Sequence, residues 1–211
     1  DSDWATYINP SIDDLEGKTE VTCWTATFAW DTCETTLGSY HFEHIAQCAA
    51  RLGAIGKRLI VHISSRVFFV TSQANASNWG PDYLFNEGTY GPYGGGIVSP
   101  NFGDETHYVW LAALWRTAVM DRYIALFQAL GDAIEANWDM WGKYVEAVEH
   151  EETSLAPTQD YDVDDSSNEW ERFLDQVPAH FPRVWIAHWL NFLENVEFNA
   201  GTGRWEFPRT M

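Results

Sequence analysis

Hydrophobic positions along this chain alternate between short runs and long stripes. Residues 21–30 are rich in β-branched and aromatic side chains and predict a buried strand. After a turn at Leu37-Gly38-Ser39, residues 41–52 carry Ile45, Cys48, Ala49 and Leu52 at helical spacing, with Gly53 and Gly56 placed to end the helix. Residues 57–63 then form a short continuous apolar run, of the kind found where both faces of a strand are covered. This strand–helix–strand unit implies a parallel pair joined by a right-handed crossover. A second stripe, from Val119 and Met120 through Tyr123 and Phe127 to Ile134, predicts a helix over 115–135. Strands are expected at 144–150 and 183–190, with a helix over 167–176 between them. The pattern predicts an α/β fold with parallel strands, of sheet or barrel type, in a single domain over 1–211. Between 72 and 106 it dissolves into Gly, Asn, Pro and aromatics, including Gly91-Pro92-Tyr93-Gly94-Gly95-Gly96, which predicts a long functional or mobile loop.

Composition sharpens this reading at three points. The 211 residues are 45% hydrophobic and include 12 Trp, ample apolar material for one packed core. Their longest apolar runs fall far below the roughly 20 residues a membrane span needs, so no membrane partner is expected. The balance of 12 Lys+Arg against 31 Asp+Glu leaves a net charge of −19, which repels nucleic acid and anionic membranes over most of the surface. Neutral ligands such as sugars meet no such barrier, and the acidity also serves solubility alone. The sequence opens at Asp1 with no apolar leader, which fits either a secreted protein whose signal peptide has been removed or a trimmed chain. Cys23, Cys33 and Cys48 lack zinc-site spacing. At most one disulfide is expected, with Cys33–Cys48 the favoured pair and three buried thiols the alternative.

In parallel α/β folds, ligands bind where the C-terminal ends of the strands meet the loops. Those ends read Trp30-Asp31-Thr32-Cys33-Glu34, Ser64-Ser65-Arg66, Glu149-His150-Glu151-Glu152-Thr153-Ser154 and His188-Trp189-Leu190-Asn191. Carboxylates, Arg, Asn and Trp on one rim suit a sugar, whose faces stack on rings and whose hydroxyls take hydrogen bonds. Crowding carboxylates over 149–152 costs repulsion, so one of them should hold its proton to higher pH. A proton-holding carboxylic acid is what general-acid cleavage of a glycosidic bond requires. The alternative is a solvated acidic strand end. Strand alternation puts Glu146, Val148, His150 and Glu152 on one face, and Glu149 and Glu151 on the other. His41 and His44 lie at i and i+3 without a third metal ligand, and the acidic segment 160–165 lacks the Gly and terminal Glu of an EF-hand loop. No metal and no cofactor is expected.

The segment Phe28-Ala29-Trp30-(x3)-Glu34-(x3)-Gly38-(x)-Tyr40-(x)-Phe42-(x2)-Ile45, followed by Gly56-Lys57-Arg58-Leu59-Ile60-Val61, resembles the early strand–helix–strand of clan A glycoside hydrolases. Many of these retaining (β/α)8 enzymes open with a pattern of the type W-x3-E-x3-G-x-Y-x-F. The helix over 115–130 and the strand leading into Glu-Thr-Ser are similar to their fourth βα unit. The resemblance spans about residues 21–191. It implies that Glu152 is the acid/base, with Glu151 the fallback. It further implies that Arg66, His150 and Asn191 orient substrate, that Trp30, Trp141 and Trp189 are stacking platforms, and that Glu34 of the opening motif belongs to the substrate-binding set. Many members of the clan have Asn immediately before the acid/base, where this chain has Glu151. A whole barrel needs about 250 residues, and no residue here matches the nucleophile motif that ends the family's seventh strand. Either the chain is a fragment, or the barrel is incomplete relative to eight units, or the second carboxylate comes from elsewhere. The activity implied is hydrolysis of a β-linked poly- or oligosaccharide. The alternatives are a non-catalytic carbohydrate-binding or degenerate barrel, and a subunit whose open barrel edge invites self-association.

Overall fold

The computed structural model describes residues 12–70, 80–90, 95–101, 104–150, 163–187, 197–199 and 204–206. Strand β1 (Cys23–Ala29) runs into a one-turn helix α1 (Trp30–Cys33), then a hairpin of β2 (Glu34–Thr36) and β3 (Ser39–Tyr40). Helix α2 (Glu43–Ala54) follows, then β4 (Arg58–Ser64) and β5 (Arg66–Val70). A 3-10 turn at Asp82–Phe85 and the short α3 (Glu87–Tyr90) precede strands β6 (Gly96–Asn101) and β7 (Asp104–Ala112). The long helix α4 (Thr117–Ala136) leads to β8 (Val145–His150), then α5 (Val163–Gln176) and β9 (Trp185–Ala187). Two short strands, β10 (Glu197–Asn199) and β11 (Arg204–Glu206), pair antiparallel.

The four strands β1, β4, β8 and β9 form one parallel sheet in the order β1-β4-β8-β9. Its two faces differ sharply. Phe28 of β1, Leu59, Val61 and Ile63 of β4, and Val148 of β8 are sealed in one core with residues of all three long helices. From the helices come Ile45, Cys48 and Leu52 (α2), Val119, Tyr123 and Phe127 (α4), and Trp170 and Phe173 (α5). Each set recurs at its element's own period, two for strands and 3.6 for helices, which is why the apolar stripes of the sequence land here. The opposite face carries Thr25, Thr27, Ile60, His62, Ala147, Glu149 and Trp185, and Trp185 is 74% exposed. The run at 57–63 is thus covered more completely on one side than its continuous apolarity indicates, because Ile60 and His62 stay partly accessible.

Helix α2 ends as its glycine predicts. Gly56 sits at φ 71°, in the left-handed region, and Lys57 N–H donates to Leu52 O while Gly56 N–H donates to Gly53 O. This is the Schellman closure, which turns the chain directly into β4. Another glycine serves close packing. A side chain at Gly131 on α4 would collide with the His180 carbonyl. Gly131→Ala is therefore expected to destabilise the fold by about 1–3 kcal/mol, the usual range for overpacking, despite alanine's better helix propensity. A melting temperature at or above that of the unaltered protein would show that the turn at 178–180 gives way without cost.

One expectation changes. The described part of 72–106 contains β6 and the start of β7, which join β5 in an antiparallel sheet of order β5-β7-β6. The strand signal was present in Tyr108-Val109-Trp110-Leu111-Ala112, beside a Gly-rich segment that masks it. For the cysteines, the free-thiol alternative is the one found. Cys23, Cys33 and Cys48 are all free, with Cys33 and Cys48 buried. Burial pushes both buried thiols up to about 12, so neither forms appreciable thiolate at neutral pH. Iodoacetamide at pH 8 is expected to modify half-buried Cys23 first in the folded protein, and all three only after denaturation. Peptide mapping checks this, and native labelling of Cys33 at the rate of Cys23 would contradict it.

Candidate site at the rim of the parallel sheet

At the C-terminal end of β1 the chain turns through α1 and brings Trp30 and Glu34 together. Trp30 Nε1 donates to Glu34 Oε2 at 3.0 Å, and the Tyr83 hydroxyl donates to the same oxygen at 2.6 Å. Gly38 N–H donates to Oε1 at 2.8 Å, its φ of 75° letting the β2–β3 turn fold back over the carboxylate. The Arg122 guanidinium on α4 also donates to Oε1, and reaches the Tyr40 hydroxyl at 3.0 Å. Its cationic carbon lies 5.7 Å from the centre of the Tyr83 ring. Glu34 is 0% exposed, and four donors occupy its acceptor positions. Burial opposes the charge on Arg122, but hydrogen bonds and the Glu34 carboxylate more than offset it and raise its pKa. Burial, reinforced by the bond to Glu34, raises Tyr83 well above the ordinary phenol range, so its proton stays in place.

This constellation is a clamp. It ties the β1 end, the β2–β3 hairpin, the 3-10 turn at Asp82–Phe85 and helix α4 into one rigid rim. Trp30 is itself sealed, with its ring 5.0 Å from that of Tyr123. Trp30 and Glu34 thus shape the rim from beneath. Beside the clamp lies a polar cleft of about 520 Å³ lined by Asp31, Thr32, Thr35, His41, Glu43 and His44. Burial raises the Asp31 carboxyl above its usual value, and the hydrogen bond from Thr32 opposes this. Among the described residues no group of three His, Cys, Asp or Glu could hold a metal.

The remaining candidates are dispersed. Arg66, just past the end of β4, is buried, and its carbonyl accepts from Ser64 Oγ at 2.7 Å. His150 closes the described part of β8 but faces the helices, where its ring lies 4.4 Å from Trp170 and 5.5 Å from Phe173. Trp141 is buried in the turn before β8, at the opposite end of the sheet from the rim. Glu151, Glu152, Trp189 and Asn191 lie outside the described residues. The alternation expected along β8 holds for Val148 and His150, which face the helices, and for Glu149, which faces away.

One pair was not anticipated. His62 Nδ1 on β4 lies 3.1 Å from Glu149 Oε1 on β8, on the face away from the helices. The signal was the register: once β4 and β8 are aligned in parallel, these residues are direct neighbours. Only the pairing partner, not local sequence, reveals it.

Comparison with known proteins gives a likeness of fold. No protein-family model and no curated protein matches the chain. Among solved structures it is similar to an exo-β-1,4-mannosidase from Opitutaceae bacterium strain TAV5, at TM-score 0.55 and 12% identity, over 87% of this chain and 28% of that one. It is also similar to endo-glycoceramidase II from Rhodococcus sp. in complex with a cellobiose-like isofagomine, at TM-score 0.54 and 13% identity, over 86% of this chain and 44% of that one. A GH5_18 protein from Streptomyces cattleya in complex with GlcNAc matches at TM-score 0.52 and 13% identity, over 88% of this chain and 40% of that one. The chain thus has an α/β fold of (β/α)-barrel type and spans less than half the length of each of these structures.

Proposed function

We propose that this protein is a glycoside hydrolase acting on a β-linked poly- or oligosaccharide by carboxylate general acid/base chemistry. The observation that carries the reading is the fold likeness, over 86–88% of the chain, to proteins that are by name a mannosidase and a glycoceramidase, and to a GH5_18 protein bound to GlcNAc. The carboxylates crowded in sequence over 149–152 are the candidates for the chemistry. Glu152, with Glu151 the alternative, donates a proton to the leaving oxygen, and a second carboxylate acts from the opposite face. In a retaining enzyme the two stand roughly 5–5.5 Å apart. The net charge of −19 favours a neutral substrate over a polyanionic one, and a secreted location fits a polymeric substrate. The test is hydrolysis of a panel of aryl β-glycosides and β-linked oligosaccharides by the unaltered protein. Release of aryl alcohol or new reducing ends is expected, and their absence across the panel would remove the reading.

A second reading, a non-catalytic carbohydrate-binding or degenerate barrel protein, draws on one observation: Trp30 and Glu34 of the opening motif are sealed within the fold and not open to a ligand. Oligosaccharide binding by titration calorimetry without product release would select it.

A further inference from the structure

The parallel sheet has two free edges. Among the described residues, β1 pairs with β4 alone and β9 with β8 alone. All three long helices pack on one face of this sheet, and on the other face Thr25, Thr27 and Trp185 are exposed. An indole that is 74% exposed on a strand leaves a large apolar surface in water. Trp185 and Ile186 point to opposite faces by strand alternation, yet both line one cleft of about 460 Å³, with Pro178, Phe181, Arg183 and Val184. A cleft that touches both faces runs along the free edge of β9. Neither edge carries the devices that block strand addition, since Cys23–Ala29 and Trp185–Ala187 contain no charge and no proline.

We propose that a second copy of this chain covers both edges, closing two four-stranded sheets into one eight-stranded parallel barrel about a two-fold axis. Rotation about an axis along the barrel sets β9 of each copy against β1 of the other and keeps every strand parallel. The helices stay outside and the open face becomes the interior, as in a (β/α)8 barrel. The complement of these edges must bring parallel strands with helices on the outer side, and this chain's own sheet is built that way. Charge favours the same alignment. Arg183 just precedes β9 and Glu20 just precedes β1, both exposed, so each seam places opposite charges at the same end. The rung of Thr25, Ile60, Ala147 and Trp185 that would face the partner is uncharged. At long range the net charge of −19 on each chain opposes the union, so association strengthens as salt screens it. This inference rests on the barrel-type fold and is independent of hydrolysis.

The experiment is light scattering and sedimentation equilibrium of the full chain at low and high sodium chloride. It compares the unaltered protein with Trp185→Lys, Thr25→Lys and, as a control on the β2–β3 turn, Leu37→Lys. The expected mass is twice the 24.1 kDa of one chain, with a dissociation constant that falls as salt rises. Trp185→Lys and Thr25→Lys, one on each edge strand and both at exposed positions, are each expected to weaken the dimer at least tenfold with unchanged circular dichroism. Leu37→Lys is expected to leave the dimer as it is. A chain that stays monomeric at both salt levels, its edges covered by its own remaining residues or by nothing, would overturn the proposal. So would a dimer that both edge variants leave intact, which places the contact elsewhere. A ladder of higher multimers would overturn it too, by showing edges that pair without closing.

Discussion

Glu152→Gln is expected to lower hydrolysis of aryl β-glycosides by about 100-fold to 10,000-fold, the range that general acid catalysis contributes, with the melting temperature unchanged. The amide keeps the size and hydrogen-bonding outline of the acid but has no proton to deliver. The loss should be largest for substrates with poor leaving groups, which need protonation most, and smaller for activated nitrophenyl glycosides. That graded pattern separates loss of an acid from loss of binding, which would lower all substrates alike. Glu151→Gln serves as the paired comparison. If Glu151 carries the proton instead, the leaving-group dependence follows that variant. Full activity in both variants would remove carboxylate chemistry at this strand end.

Arg122→Ala is expected to be the most destabilising of the rim substitutions, at about 3–5 kcal/mol, because it strands a fully buried carboxylate without its cation. For a chain of this size that is a fall in melting temperature of roughly 6–20 °C. Tyr83→Phe removes one donor to Glu34 and should cost about 1–3 kcal/mol. Replacing both partners, as in Glu34→Gln with Arg122→Met, should cost less than Arg122→Ala alone, because no unpaired charge stays behind. Thermal melts of the three variants check the order. An Arg122→Ala protein that melts with the unaltered one would mean that water reaches Glu34 and the clamp is not closed.

The helices were largely legible in the sequence. The stripes over 41–52, 115–135 and 167–176 correspond to α2 at Glu43–Ala54, α4 at Thr117–Ala136 and α5 at Val163–Gln176, because an amphipathic helix reports its period locally. The parallel strands were legible as short apolar runs, and the strand–helix–strand unit implied that the first two pair in parallel. Strand β7 was not, since its apolar run adjoins Gly- and Asn-rich segments that read as loop. The clamp and the His62–Glu149 pair were beyond sequence reasoning for a different reason. Glu34 meets Tyr83 across 49 positions and Arg122 across 88, and His62 meets Glu149 across 87. Nothing local marks such partners. The opening motif located Trp30 and Glu34 correctly at a strand end, but spacing alone cannot tell a carboxylate that lines a groove from one sealed beneath it.

Chromatography with mass spectrometry of products formed from β-linked oligosaccharides in ¹⁸O-water tests the hydrolase reading most directly. The expected result is shorter saccharides carrying one ¹⁸O at the new anomeric carbon, formed by the unaltered protein and strongly reduced in Glu152→Gln. Oligosaccharides recovered intact and unlabelled, from a folded protein that binds them, would contradict it.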